Sequence, residues 1–386
     1  MFVYADNAAT TRMNKAAMEA MGPYLDGFYG NPSSQHAAGR DAAKALAQAR
    51  AKMAKNLGCE PREILFTSGG SEADNLAVFS AAALGEKSGK KHIVSTAFEH
   101  PAILRSLDRL RAKEFSVTLL PVPENGVISG QQVEEAIRPD TCLVSVMYAN
   151  HEIGTIQPIS EIGRICCEKG VLFHTDAVQA AGHLPICVKD QQIGMLSLSA
   201  HKFHGPKGVG ALYVQKGIQL EPMITGGGQE RGLRAGTENV PGVVSMAAAF
   251  DFACAHREEN MKKMTSLRDK TIDGLKNIPY SILNGDPVCR LPGNVNVCFE
   301  GVEAEALLFL LDQAGICASS GSACMSGSLE PSHVLLAIGR TPDQARSALR
   351  LSFGEENTEE QVDFIIETTA KAVSSLRGVK SSVPRL

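Results

Sequence analysis

What this sequence lacks closes off several classes of protein. Its ten cysteines, at positions 59, 142, 166, 167, 187, 254, 289, 298, 317 and 324, include no Cys-x-x-Cys pair. Neither a zinc site of paired cysteines nor a disulfide framework is therefore expected. No apolar run approaches the ~18 residues of a membrane-spanning helix. The opening Met1-Phe2-Val3-Tyr4 carries no basic leader. Charge of one sign is also scarce: a net charge of −4 offers no electrostatic attraction to nucleic acid or an acidic membrane. A cytoplasmic protein is expected, with neither nucleic acid nor membrane as partner. Gly-x-x-x-x-Gly-Lys-Ser/Thr is absent as well, so no Walker-type phosphate loop is present, and no internal repeat is visible.

What remains is the composition of an ordinary globular enzyme, 44% apolar and 21% charged. A chain of 386 residues is too long for one small core, so two domains, or a large one with a smaller partner, are expected. Apolar strand patterns at 64–67, 92–95, 117–122, 143–148, 171–174 and 195–198 alternate with helical ones at 36–57, 72–84, 101–112, 130–137 and 160–169. That rhythm predicts an α/β layer around a mostly parallel, buried sheet. From 239 to about 278 the pattern is that of one long, increasingly charged helix leaving the large domain. Beyond it, strands at 295–299 and 350–352 and helices at 303–314 and 358–376 predict a smaller α+β layer. The expected division is 15–257 for the large domain, with 1–14 and 258–386 forming the small one.

The chemistry centres on Ser199-Ala200-His201-Lys202-Phe203-His204-Gly205-Pro206. A buried strand delivers Ser199, His201 and Lys202 into a turn, and a second short strand, 210–214, leads away. A lysine at a strand end beside an apolar interior can lose its proton and act as a nucleophile or Schiff-base former, although most lysines are solvated surface groups. Thr67-Ser68-Gly69-Gly70-Ser71-Glu72 joins a strand to a helix, where free N–H groups suit an anion, or simply a helix cap. Asp176, ending a buried strand, needs a cation such as a pyridinium nitrogen, or serves as an N-cap. His100, before Pro101, suits general acid/base work. The glycine-dense loop 226–237 carries Arg231, Arg234 and Thr237, which suit phosphate or carboxylate contacts. Arg350 on an apolar strand needs an anion, such as a substrate carboxylate. Ser319-Ser320-Gly321-Ser322-Ala323-Cys324 reads as a Ser/Gly segment able to carry a thiol into a cleft, or as a plain linker. Cys142, Cys254 and Cys298 read as small buried hydrophobes. Cys317 reads as buried and inert.

Taken in order, Asp6-Asn7-Ala8-Ala9-Thr10-Thr11, Gly30-Asn31-Pro32-Ser33-Ser34, Thr67 to Glu72, Glu99-His100, Asp176-Ala177-Val178-Gln179, Ser199 to Lys202, Gly226-Gly227-Gly228-Gln229-Glu230-Arg231-Gly232 and Ser319 to Cys324 resemble the NifS/IscS-type cysteine desulfurases through nearly the whole chain. The long cysteine loop is similar to that of the group feeding iron–sulfur cluster assembly. The resemblance implies fold type I of the pyridoxal 5'-phosphate (PLP) enzymes, within the class V aminotransferase family, as a homodimer. It implies that Lys202 carries PLP and later moves the Cα proton, that Asp176 pairs with the ring nitrogen and Gln179 with the ring oxygen, and that His100 stacks on the ring. Gly70, Ser71, Ser199 and His201 would hold the phosphate, with Thr237 from the neighbouring subunit. Arg350 would take the carboxylate of L-cysteine, with Asn31 nearby. Cys324 would take the sulfur as a persulfide, leaving L-alanine, and pass it to a U-type iron–sulfur scaffold or another acceptor. Cys324 would meet metal only during transient cluster transfer.

One position departs from the family pattern. Where Asn-Asn-Glu is usual, this chain has Asn150-His151-Glu152, so His151 stands at the cofactor-touching position. It can still donate one hydrogen bond, and its titration is expected to steepen the pH profile between about 6 and 7. The readings weighed against a desulfurase are a selenocysteine lyase, an ordinary aminotransferase, and a non-enzymatic thiol or metal scaffold. The scaffold leaves Lys202 and Asp176 unexplained.

Overall fold

The computed structural model describes residues 1–321 and 330–380. The chain opens with β1 (Val3–Tyr4), α1 (Lys15–Met21) and α2 (Ala37–Leu57). It continues through β2 (Ile64–Thr67), α3 (Gly70–Lys87), β3 (His92–Thr96), α4 (Pro101–Arg111), β4 (Ser116–Leu120), α5 (Gly130–Ala136), β5 (Thr141–Ser145), α6 (Ile159–Lys169), β6 (Leu172–Asp176), β7 (Met195–Ser199) and β8 (Gly210–Val214). Helices α7 (Val240–Ala255) and α8 (Arg257–Lys276) lead to β9 (Ser281–Leu283), β10 (Asn294–Phe299), α9 (Ala304–Gln313) and β11 (Ile316–Cys317). The last described elements are α10 (His333–Ala337), α11 (Pro342–Arg346), β12 (Ala348–Ser352) and α12 (Glu359–Lys380).

Seven strands form the main sheet in the order β2-β8-β7-β6-β5-β3-β4. Only β8 runs against its neighbours. The sheet is thus mostly parallel, and helices cover its faces. Strands β5, β7 and β3 are buried at every residue, as a parallel sheet shielded on both faces requires. The antiparallel β7–β8 hairpin is what places the 200–209 turn at the carboxyl end of the sheet.

Local signals set the ends of the elements. The alanine-rich α2 is capped by His36, whose ring accepts the Gly39 amide, and it stops at Gly58, whose left-handed φ of 73° costs glycine little. Pro101 at the first position of α4 sacrifices no intrahelical bond, and the His100 ring accepts the Ala102 amide.

The helical stretch after 239 is two helices rather than the single one expected. His256 leaves the helical region at φ −103° and ψ 7°, its ring stacked on Phe252 and its Nδ1 held 2.9 Å from the Phe252 carbonyl. Two cysteines are also more open than expected: Cys254 and Cys317 are only partly covered, whereas Cys142 and Cys298 are buried.

The second layer is an antiparallel sheet, β12-β10-β9. The amino-terminal strand joins it: β1 pairs in parallel with β11, and Asp6 bridges to Ser352. Val3 and Ala5 share a core there with Leu275, Val297, Phe299, Leu311 and Val373. A separate apolar cluster, including Phe98, Met147 and Ile153 together with Val334, Leu335 and Ala348, ties this layer to the large sheet.

His204 and Glu355 make a second tie, with Nε2 and Oε2 2.9 Å apart. Burial disfavours the charged imidazole, but the adjacent Glu355 carboxylate outweighs it and raises the His204 pKa. Burial likewise works against the Glu355 carboxylate, and His204 more than offsets it, lowering the pKa. The His204 contribution to stability is complete below about pH 6.5 and is lost as pH rises through its raised pKa; that of Glu355 is complete above about pH 4.3 and is lost as pH falls through its lowered one. The melting-temperature difference between wild type and Glu355→Gln should therefore peak between about pH 5 and 6 and shrink toward pH 8. A difference that grows with pH would contradict the pairing.

Candidate active site

Asp176 at the end of β6, Ser199 at the end of β7 and Gly70 at the start of α3 meet at the carboxyl edge of the sheet, where open α/β sheets bind ligands. They line a cavity of about 160 Å³. Roughly 10–15 Å³ lodges a single water, so there is room for a small organic molecule. Its walls bring together Gly70, Ser71, His100, His151, Asp176, Gln179, Ser199, His201, Lys202 and Arg350, ten of the side chains singled out from the sequence.

Lys202 ends the short turn after β7. Its Nζ donates to the carbonyls of Ala8 (2.5 Å) and Ala9 (2.8 Å), so the amino-terminal ribbon forms one wall. The ribbon is itself pinned to the lysine turn, because the Thr11 amide and hydroxyl both donate to the His201 carbonyl. Gln179 donates to Ala8 O from the other side, at 3.0 Å. The His201 pKa is lowered to about 4, by burial and then by the charges of Lys202 and Lys207, so the ring is neutral near pH 7.

Asp176 is buried, and its Oδ1 accepts the Val178 amide at 2.9 Å. Burial raises its pKa, while His100 and Lys202 draw it back down. A Cβ on Gly70 would meet Val178 Cγ2 at 2.7 Å, so only glycine lets the start of α3 come this close to the cavity.

His151 meets the His100 ring edge-on, with centroids 5.5 Å apart. Neither of its ring nitrogens has a hydrogen-bond partner, although both are buried. Burial, and then His100, Arg350, His333 and Lys202, push its pKa well below the ordinary value. This overturns the expected titration near pH 6–7, because the ring stays neutral throughout that range. Two buried, unpartnered nitrogens are uncommon in a folded interior, and the residue that carries them lines this cavity.

Arg350 is 1% exposed on β12. The sequence leaves it needing an anion, such as a substrate carboxylate, and the fold already supplies one. Nη2 lies 2.8 Å from Asp6 Oδ1, and Nη1 donates to the His151 carbonyl at 3.1 Å. Nε is buried without a partner. Asp6 sits 344 residues away in sequence, and spacing gives no hint of the pairing. Asp74, also on the cavity wall, was missed too; its only sequence signal is an acid inside an otherwise apolar helix face.

Three of the named residues are not among the cavity's lining. Asn31 is exposed, its Oδ1 turned back onto the Ser33 amide. Thr237 is exposed on its loop. Cys324 lies outside the described residues. The chain leading toward it passes Arg350, with Ser319 and Arg350 exchanging backbone hydrogen bonds of 3.1 and 2.6 Å. On the far side Ser332 donates to Glu152 Oε2 at 2.8 Å.

The arginines of the glycine-dense loop serve the fold rather than this cavity. Arg234 pairs with Glu72 at 3.0 Å, and Arg231 donates to the Ile64 carbonyl. The loop's buried Glu230 is gripped at both oxygens by Arg50.

The aminotransferase class V family profile matches residues 3–365. The chain belongs to that family. Its relatives include the cysteine desulfurase IscS of Methanosarcina thermophila, 50% identical over 99% of this chain and 95% of that protein. That of Clostridium botulinum is 49% identical over 97% and 95%. Among solved structures, a NifS-like protein superposes with a TM-score of 0.91 at 40% identity, covering 97% of this chain and all of the other. SspA, solved in complex with cysteine, gives a TM-score of 0.81 at 37% identity over 92% of this chain and all of SspA. The chain is thus a NifS/IscS-type member of the class V aminotransferases, an α/β enzyme of PLP fold type I. The site fits PLP: a buried carboxylate, a glycine at a helix start, imidazole rings and the Lys202 amine line one cavity.

Two outcomes follow from this geometry. Replacing His151 by Asn should leave the pH–rate profile between about pH 6 and 7 unchanged. A flattened limb would show that the imidazole does titrate there. Asp6→Ala strands the buried Arg350 charge, and chemical denaturation should show a loss of about 3–5 kcal/mol. A loss under ~1 kcal/mol would mean that Asp6 is dispensable to Arg350.

Proposed function

We propose that this protein, a PLP-dependent cysteine desulfurase, takes sulfur from L-cysteine onto Cys324 and releases L-alanine. The observation that carries this reading is the convergence of Lys202, Asp176 and Arg350 on one cavity, with the chain toward Cys324 passing directly beside Arg350. When bound, PLP supplies an electron sink that makes the Cα proton of an amino acid acidic. Gly70, Ser71, Ser199 and His201 would hold its phosphate, helped by the amide groups at the start of α3. Asp176 would keep the ring nitrogen protonated, and Gln179, His151 and His100 would hold the ring.

Lys202 would hold the group, and its Nζ moves the substrate's Cα proton. Arg350 receives the substrate carboxylate, with Asp6 keeping the guanidinium in place. The Cys324 thiolate attacks the substrate sulfur. A sulfur–sulfur bond forms, the carbon–sulfur bond breaks with its electron pair left on carbon, and protonation of that carbon yields alanine. A thiolate is the reactive form, so the step favours a thiol of lowered pKa.

The proposal extends to a homodimer, with Thr237 completing the phosphate site of the neighbouring subunit. The exposed Thr237 and the exposed apolar group Leu25, Phe28 and Tyr29 support that part. Work in the cytoplasm, with delivery of sulfur to a U-type scaffold for iron–sulfur assembly, belongs to the same proposal. Among the described helices none is long and apolar enough to cross a membrane.

Borohydride reduction and digestion should leave the pyridoxyl label on the Lys202 peptide, and label on Lys207 would sink the assignment. Lys202→Ala should slow alanine formation by about 10²–10⁴-fold, the usual worth of a positioned acid/base. Cys324→Ser should still bind PLP and respond spectrally to cysteine, yet release alanine only at background. Near-normal sulfur transfer by that variant would move the chemistry to another thiol. Running cysteine against selenocysteine in the same assay decides between desulfurase and lyase.

A further inference from the structure

Asp74 has no part in the chemistry above, yet it occupies a costly position. It lies on α3, is 1% exposed and reaches the cavity wall. One carboxyl oxygen each from Asp74 and Asp176, and a ring nitrogen of His100, lie within 4.8 Å of one another. Oδ1 of Asp74 has no hydrogen-bond partner. The neighbouring Ser197 hydroxyl works to lower the pKa of the carboxyl, which burial raises. Behind Ser197 stands His174, its Nε2 3.0 Å from Ser197 Oγ and its Nδ1 2.9 Å from Ser145 Oγ. Ser145, His174 and Ser197 thus form a hydrogen-bonded row drawn from β5, β6 and β7 behind α3.

The groups facing Asp74 are His174, Asp176, Glu99 and His100. His174 Nε2 is 3.7 Å from Asp74 Oδ1, but burial lowers its pKa to about 3, so it brings no positive charge. Glu99, pushed up to about 8 by burial, adds a further acid. Two carboxyls this close in a buried site do not both ionise. The asymmetry between them is plain: Asp176 feels the attraction of His100 and Lys202, whereas Asp74 feels Asp176 and Glu99.

We propose that Asp74 and Asp176 are one acid pair carrying a single negative charge, in which Asp74 keeps the proton and so fixes Asp176 as the anion facing the cofactor's ring nitrogen. Asp74 is then a positioning residue, acting through Asp176. The last clause of the proposal rests on the function proposed above, and the pairing itself does not.

Isotope-edited infrared spectroscopy of the PLP-loaded full chain, with the aspartate side-chain carboxyl carbon labelled, tests the pair and excludes Glu99 from the signal. A protonated-carboxyl stretch should be present at pH 7, vanish in Asp74→Asn, and titrate at lower pH in Asp176→Asn, where the neighbouring charge is gone. Absence of the band at pH 7, its survival in Asp74→Asn, or an unmoved midpoint in Asp176→Asn would overturn the proposal. Should Asp74→Asn fail to fold, the wild-type band and its shift in Asp176→Asn still decide. Bound-cofactor absorbance adds a positioning readout: Asp74→Leu should shift the pH of its transition, and the neutral, hydrogen-bonding Asp74→Asn should restore it. If the band is present but Lys202 carries no label, the pair stands and the function falls. If an active, labelled enzyme lacks the band, the pair alone falls.

Discussion

A carboxylate at the inner end of a parallel sheet has to be met by positive charge, and around Asp176 that requirement organises the whole site. The strand β6 is covered on both faces, so the acid it delivers cannot turn to water. The protein answers from one side only. Lys202 and His100 stand across the cavity, while the interior behind Asp176 holds neutral partners: His174 between two serines, and Asp74. A site that leaves its cation-binding face open and closes its back is built for a ligand that is itself positive at one atom.

Much of this was legible in the chain. The turn after β7, the helix start at Gly70 and the acid ending β6 are local patterns, and each is set within a few residues of the group it positions. Ten of the named residues consequently fall on one cavity wall. What sequence could not give was partnership across distance. Arg350 was recognisable as a cation on an apolar strand, but its mate is Asp6, at the opposite end of the chain. The loop arginines look like anion ligands by composition, yet Glu72 and the Ile64 carbonyl occupy them, because loop path rather than residue type decides what an arginine meets. His151 erred in another way. Residue identity suggested a titrating group, and complete burial removed the titration.

The two layers are not independent supports. Large-sheet residues hold the cofactor side of the cavity, whereas Arg350 comes from the small layer and donates to the backbone of His151 in the large one. The apolar cluster joining Phe98 and Met147 to Leu335 and Ala348 keeps those halves in register.

The amino-terminal ribbon has a consequence for how the molecule is made. Its first strand pairs with β11, Asp6 bridges to Ser352, and Ala8 and Ala9 supply the carbonyls that Lys202 grips. The segment synthesised first therefore waits for partners synthesised almost last, a contact of very high sequence separation. During translation the large sheet can gather its strands in order and receive Thr11 at the His201 carbonyl, while β1 still lacks β11. Only when the strands holding Ile316 and Ser352 have left the ribosome can β1 and Asp6 pair, so the guanidinium of Arg350 joins the cavity last.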